Sequence, residues 1–288
     1  MRRRYEFVLT HQQRGRGIEK EVKLKKEGLR PLFCRVGNKY LSAKIIISHF
    51  PKEYKTYVEP FVGSGAVLFR KEKKGKEVIN DLDNDLIQAY RLIDKTNFTS
   101  LDKYERLKAG VIDKTRKDDP NYIESVRRLR AFYAKKPVSA NDKLYHAILT
   151  FCNTFSGLGE GKLYMPENQI TKLKKMDLYK ERMKGVKILN EDYKKVIKDY
   201  DAAGTLFYLD PPYEDSKAIY KEGRGFDHEE LARVLSGIKG KFALSLNDSP
   251  NIRRLFSKFR IIPIKEIGNR LIRDKQLGNR SDVLIMNY

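Results

Sequence analysis

Four contiguous residues, Asp210-Pro211-Pro212-Tyr213, follow the apolar run Leu206–Leu209, and together they suit a planar ring that carries an exocyclic amine. The lone pair of such an amine is delocalised into the ring, which makes the nitrogen a poor nucleophile. Asp210 offers a side-chain acceptor for one of its N–H bonds. The two prolines fix φ, donate no N–H and hold the Pro211 carbonyl outward as a second acceptor. Two acceptors engaging the two N–H bonds favour a pyramidal nitrogen and aim its lone pair at an electrophile such as a sulfonium methyl. Positive charge arrives at the nitrogen as the methyl moves, and Asp210 is placed to stabilise it. Tyr213 adds an aromatic face for stacking. The plainer alternative is a proline-rich turn ending a strand, with Tyr213 packed on the core. This four-residue order after an apolar strand is far rarer than an ordinary tight turn, which favours the chemical reading.

A second constellation is Glu59-Pro60-Phe61-Val62-Gly63-Ser64-Gly65, between an apolar run and a helical one. Glycines at 63 and 65 let backbone approach a ligand closely, and the N–H groups of the following helix add donors. Two glycines alone are more often just a turn. The next apolar run, however, ends in Asn80-Asp81, with Asp83 close behind. A carboxylate in that place can accept from both hydroxyls of a ribose. Asp81 could equally cap the helix that follows. The third glycine of a dinucleotide fingerprint is missing and no GxxxxGK[ST] occurs, so a nucleoside cofactor without pyrophosphate fits best.

The elements that must position these residues can be read from periodicity. Residues 39–50 have apolar positions at helical spacing and stop at Pro51; 55–61 reads as a buried strand, 64–74 as a helix, 76–81 as a strand and 82–95 as a helix. That succession predicts a βαβ unit of a parallel sheet. From 101 to 185 the β pattern disappears: 101–117, 121–136 and 141–155 read as helices, followed by a basic, Gly-rich stretch. Alternation returns with strands at 186–189, 205–210, 241–247, 260–266 and 282–288, and helices starting at Glu191, Asp227 and Pro250. The expected organisation is a basic extension over 1–38, one α/β domain built from 39–100 and 186–288, and a mostly helical insert over 101–185.

Sixty Lys and Arg against 38 Asp and Glu leave a net charge of +22, well beyond what solubility needs. Such a surplus favours a polyanionic partner through phosphate neutralisation and counterion release, although a lysine-rich proteome gives basic proteins of every kind. No run is long and apolar enough to span a bilayer, and the opening MRRRYEFVLTHQQRGRG has no apolar stretch of the secretory type, so a cytoplasmic protein without membrane contact is expected. Cys34 and Cys152 are far apart and read as plain thiols. His11, His49, His146 and His228 show no ligand spacing, and no metal is expected.

Taken together, these motifs resemble the Dam-like (class D12, alpha-group) adenine-N6 DNA methyltransferases, whose order is cofactor half, target-recognition insert, catalytic half. The likeness runs from about Lys39 to Tyr288. It implies a Rossmann-like S-adenosylmethionine-dependent methyltransferase sheet, mostly parallel with an antiparallel strand near the C-terminus, and a helical target-recognition domain. It implies that Lys39, Tyr40 and Lys44 form the N-terminal motif, with Tyr40 and Lys44 near the methionine portion of the cofactor. Glu59, Phe61, Gly63 and Gly65 then line the methionine, Asp81 holds the ribose, Asp192 and Tyr193 meet the cofactor's adenine, and Asp210, Pro211, Pro212 and Tyr213 form the catalytic loop. The closing RSDVLIMNY matches the family's last strand. The resemblance further implies double-stranded DNA as partner, a base rotated out of the stack, and a possible cognate restriction enzyme.

In the insert, FCNTFSGLGEGKLYMP stands where family members often show Asn-Arg and a later Phe-Asn, so the target sequence is not readable. Phe226, Asp227 and His228 resemble a loop that closes over the flipped base, but Asp227 reads better as a helix cap. Basic stretches Arg127–Arg130 and Lys172–Lys175 could follow phosphates or form a solvated helix face. Phe132, Tyr133, Tyr145 and Phe151 read as the insert's core. Rival functions are methylation of cytosine N4, against which Asp210 argues because Ser is commoner there, methylation of RNA adenine, and a catalytically silent DNA-binding relic, against which the intact motifs argue.

Overall fold

The expected βαβ unit is present in the computed structural model, which describes residues 28–35, 37–108, 120–153, 169–214, 225–264 and 282–288. Strand β1 (Thr56–Glu59) runs into the glycine turn, the helix Ala66–Arg70 follows, and β2 (Lys76–Asn80) pairs parallel to β1 with Val58 opposite Val78. That helix is shorter than its periodicity suggests. Gly65 precedes it in the left-handed region at φ 68°, and at Lys71 the backbone becomes extended, carrying the side chain inward to Glu77. The helix expected over 39–50 is likewise confined to Ala43–Ser48, after a turn at Lys39–Ser42.

The remaining strands are β3 (Lys187–Leu189), β4 (Thr205–Leu209), β5 (Lys241–Asn247), β6 (Arg260–Ile264) and β7 (Asp282–Met286). They complete a seven-stranded sheet in the order β3-β2-β1-β4-β5-β7-β6. Pairing is parallel from β3 through to β5, while β7 runs antiparallel to both β5 and β6, as expected for the C-terminal strand. Strand order reverses between β1 and β4, and the crevice at the carboxyl ends beside such a reversal is where open α/β sheets bind ligands. Because β7 points against its neighbours, its first residue, Asp282, lies at that same edge, in register with Asn247 at the end of β5.

Every residue of β4 is buried, as a strand covered on both faces must be. Its side chains divide by period two: Leu206 and Tyr208 enter one core with Tyr57, Ile79 and Leu284, while Phe207 and Leu209 enter the other with Val58, Val78 and Ile285. Between β2 and β3 every described element is helical: Asn84–Leu92 with a short 3-10 turn, Asp102–Lys108, Pro120–Ala134, Ala140–Asn153, Gln169–Leu173 and Met176–Met183. Tyr145 and Phe151 are buried and Phe132 and Tyr133 pack beside them, in a core continuous with the first face of the sheet. Phe33 makes that continuity explicit, standing edge-on to Tyr90 at 5.0 Å and to Phe151 at 5.7 Å. The basic opening, the Gly-rich stretch of the insert and the approach to Phe226 lie, over 1–27, 154–168 and 215–224, outside the described residues, as do 36, 109–119 and 265–281.

Candidate active site

The proline loop leaves the end of β4 and is held by side chains from three other parts of the chain. The Tyr213 hydroxyl donates to Asp282 Oδ2 at 2.8 Å. Lys39, buried to 3%, brings Nζ to 3.4 Å from Asp210 Oδ1 and 3.4 Å from Asp282 Oδ2, and 4.6 Å from the centre of the Tyr213 ring. His228 Nε2 lies 3.0 Å from the Pro212 carbonyl, and since a carbonyl only accepts, Nε2 carries the proton. Burial pulls the His228 pKa below its ordinary value, against the opposing pull of that hydrogen bond and of Glu214, so the neutral ring is favoured. The carbonyl engaged is that of Pro212, one residue beyond the one expected to face a substrate. Glu214, directly after the loop, accepts from Ser249 Oγ at 2.5 Å and Asn251 Nδ2 at 2.6 Å.

The glycine turn is built differently. Gly63 and Gly65 have φ of 47° and 68°, a region costly for residues with a Cβ. At Gly65 a Cβ would meet the Tyr90 hydroxyl at 2.7 Å, whereas at Gly63 nothing lies within 4 Å. Asp81 fixes the turn from the next strand, accepting from the Gly63 N–H through Oδ2 at 2.9 Å and from the Asp83 N–H through Oδ1 at 3.0 Å. Its pKa is raised, because burial outweighs those two N–H groups. The helix-cap alternative for Asp81 is excluded: Asp83 is the cap, accepting from Leu86 N–H at 3.1 Å and pairing with Arg35. Asn80 ties three strand ends together, donating to the carbonyls of Pro60 and Glu191 at 2.9 Å each and accepting from Glu191 N–H at 2.8 Å.

Glu59 is 1% exposed at the end of β1 and takes a hydrogen bond from the Tyr57 hydroxyl. Burial pushes its carboxyl up to about 8, with Tyr57, Lys71 and Arg182 resisting. Beyond Tyr57 lies a buried ionic chain in which Glu77 binds both Lys71 and Arg182, with Lys71 Nζ 4.1 Å from the Tyr57 ring centre. Burial lowers the Lys71 pKa, countered by Glu77.

An aromatic cluster bridges the two halves. Phe61 stands 5.2 Å from Tyr193 and 5.6 Å from Phe226, and Phe226 stands 5.1 Å from His228. Glu59, Phe61, Gly63, Gly65, Asp81 and Tyr193 thus share one edge with Asp210–Tyr213. Asp192 is exposed and caps the helix Tyr193–Tyr200, and Asp227 caps the next, accepting from Glu230 N–H at 2.8 Å. Tyr40 packs against Arg70: its carbonyl accepts from that side chain at 2.9 Å and its ring lies 4.6 Å from the guanidinium. Lys44 is exposed, and neither Tyr40 nor Lys44 shares a hydrogen bond with Glu59 or Asp81 among the described residues.

In the insert, Arg127 and Arg128 are exposed and pair with Glu124 on their own helix, whereas Lys172 is turned inward. Sequence reasoning named His228 only in the stretch that resembles a loop closing over the flipped base, and it passed over Asp282. The available signal for Asp282 was an acid opening an otherwise apolar strand; the hydrogen bond of His228 left no signal, since its partner is a backbone carbonyl.

The chain has relatives among known methyltransferases. It is 25% identical to a Type II methyltransferase of Lactococcus lactis subsp. cremoris, over 91% of this chain and 97% of that protein. It is 26% identical to a Type II methyltransferase of Methanocaldococcus jannaschii, over 90% of this chain and 99% of the other. A protein of Escherichia phage P1 named DNA N-6-adenine-methyltransferase is 27% identical over 85% of this chain, which spans 34% of that longer protein. A sheet of this order, an acid-proline-proline-tyrosine loop at its switch point and a family match over residues 36–269 together make this chain a member of the D12 class N6 adenine-specific DNA methyltransferases.

Proposed function

We propose that the chain moves the methyl group of S-adenosylmethionine to the N6 amine of an adenine rotated out of double-stranded DNA, with Asp210, Pro211, Pro212 and Tyr213 as the catalytic loop. The observation that carries this reading is the position of the Lys39 ammonium, against the Asp210 carboxylate and over the Tyr213 ring. A nitrogen bearing N–H donors is accommodated there with an aromatic face below it, which is what an adenine amine stacked on Tyr213 requires. As the base enters, Lys39 must give up this seat. Asp210 then accepts an N–H, opposes delocalisation of the lone pair and stabilises positive charge at N6 during transfer. Asp282 orients Tyr213 through its hydroxyl, and His228 fixes the loop through Pro212.

The residues at the neighbouring edge fit the cofactor. Gly63 leaves space where a side chain would stand, the buried Glu59 carboxyl suits a cationic group, and Asp81 keeps acceptor capacity after taking two backbone N–H bonds. S-adenosylmethionine supplies an electrophilic methyl on sulfur. Glu59, Phe61, Gly63 and Gly65 would hold its methionine portion, with Tyr40 and Lys44 completing that end. Asp81 would hold the ribose, and Asp192 and Tyr193 the adenine. Residues 101–185 would read the sequence around the target base while 39–100 and 186–288 carry the chemistry. The net charge of +22 suits a phosphate backbone, and the Type II names of relatives favour a partner restriction enzyme of the same specificity.

The test is to express the protein in a host lacking DNA methylation and map modified bases by single-molecule sequencing. N6-methyladenine at one short recurring sequence is expected. Unmodified DNA from cells holding folded, cofactor-binding protein would overturn the reading.

A further inference from the structure

The two cysteines, distant in sequence, meet beside one lysine. Lys172 Nζ lies 3.8 Å from Cys34 Sγ and 3.4 Å from Cys152 Sγ, and donates to the Leu32 carbonyl at 2.8 Å. Cys152 Sγ donates to the same carbonyl at 3.7 Å, so both sulfurs and the ammonium gather around Leu32. Both cysteines are half-buried. The surroundings are firm: Leu32 and Phe33 are fully buried, and Arg35 lies 5.0 Å from the Phe151 ring centre while pairing with Asp83.

We propose that Cys34 and Cys152 are a redox-modification site, forming a reversible disulfide that joins the segment leading into the Lys39–Tyr40 turn to the helix Ala140–Asn153. The environment divides the work between them. The hydrogen bond from Cys152 and the charge of Lys172 draw the Cys34 thiol down to about 6 in spite of burial, while burial and the neighbouring Cys34 push Cys152 up. Cys34 is therefore the more readily ionised of the two and Cys152 the one that keeps its proton, the arrangement of an attacking and a resolving cysteine. With hydrogen peroxide as oxidant, the Cys34 thiolate attacks one oxygen, the O–O bond breaks, and Cys34 becomes a sulfenic acid as hydroxide leaves. Cys152 sulfur then attacks Cys34 sulfur. The S–S bond forms, the S–O bond breaks, and the departing hydroxide takes the Cys152 proton, so two thiols and one peroxide give one disulfide and two waters. Lys172 neutralises the thiolate before the first step and loses that partner after the second.

The experiment treats the whole protein with hydrogen peroxide and reads its intact mass without reductant. A loss of two hydrogens, a peptide linking 34 to 152 and full reversal by a dithiol are expected. Cys152→Ser should stop at a dimedone-trappable sulfenic acid on Cys34. In untreated wild-type protein, the alkylation rate of Cys34 by iodoacetamide should level off above about pH 7, while Cys152 stays slower throughout. Lys172→Met should move the Cys34 inflection upward. Direct overoxidation of Cys34, a disulfide only between molecules, or two thiols alkylating with the same ordinary profile would each overturn the proposal.

Discussion

The glycine turn after β1 and the proline loop after β4 sit side by side at the carboxyl edge of the sheet, yet they are held in shape by different means. The turn is fixed locally: two left-handed glycines set its path, and Asp81, from the adjacent parallel strand, takes the Gly63 N–H. In the loop the two prolines fix φ, and contacts from distant parts of the chain do the rest. Its shape rests on Asp282 from the antiparallel strand, His228 from the following helix and Lys39 from before the sheet begins. On the proposed function, a surface that receives the same cofactor in every turnover benefits from backbone preorganisation. A loop that would admit a base and release it is better held by side chains that can let go, as Lys39 would.

This contrast can be broken at several points. The largest effect should come from Asp210→Ala, with methyl transfer falling roughly a thousandfold, about 4 kcal/mol, while cofactor affinity is nearly unchanged. Single-turnover rates and calorimetric binding check it, and retained turnover would remove Asp210 from the chemistry. Next, Gly65→Ala should destabilise the fold by about 2–3 kcal/mol, since strain at φ 68° adds to the clash with Tyr90. Gly63→Ala, with open space around its Cβ, should cost less stability and show itself mainly as weaker cofactor binding. Equal losses in denaturant unfolding would mean that crowding does not shape the turn.

Asp81→Ala should weaken cofactor binding by roughly tenfold or more, about 1.5–3 kcal/mol, before it affects turnover of the saturated enzyme. An unchanged Kd would leave Asp81 with its two backbone contacts, to Gly63 and Asp83, as its whole role. On the loop side, His228→Phe keeps the ring volume but loses the donor to Pro212, and a fall in kcat worth about 1 kcal/mol is expected with the Kd for cofactor intact. The last test concerns pH. The Glu59 carboxyl titrates at about 8 in the folded protein against an ordinary 4.5. The native state therefore keeps a proton that the unfolded chain gives up, and this residue lowers stability as pH rises from about 4.5 to about 8. Glu59→Gln, neutral throughout, should flatten that part of the urea-midpoint profile; an identical slope would show that other groups set it.

Asp210-Pro211-Pro212-Tyr213 and the run from Glu59 to Gly65 could be read directly because their functional groups are contiguous, and strand-turn-helix periodicity around them predicted a parallel sheet. The fold class followed from that pattern, and the resemblance carried by the two motifs implied the family and the antiparallel strand near the C-terminus. Helix lengths were less legible. The helix after Gly65 ends at Arg70 because Lys71 is drawn to a buried Glu77, a partner that periodicity does not contain. Nor could the Asp81 and Asp83 roles be separated until the Gly63 N–H was seen to belong to one and the Leu86 N–H to the other.

The sequence by itself determined which side chains could do chemistry and in what order the elements carry them. Tertiary structure alone decided that β7 would set Asp282 beside Tyr213, that Lys39 would reach the end of a strand far along the chain, and that Cys34 and Cys152 would share Lys172. Spacing along a chain encodes neighbours within a helix or strand, whereas these meetings depend on strand order and crossover packing, which bring together residues with no fixed separation.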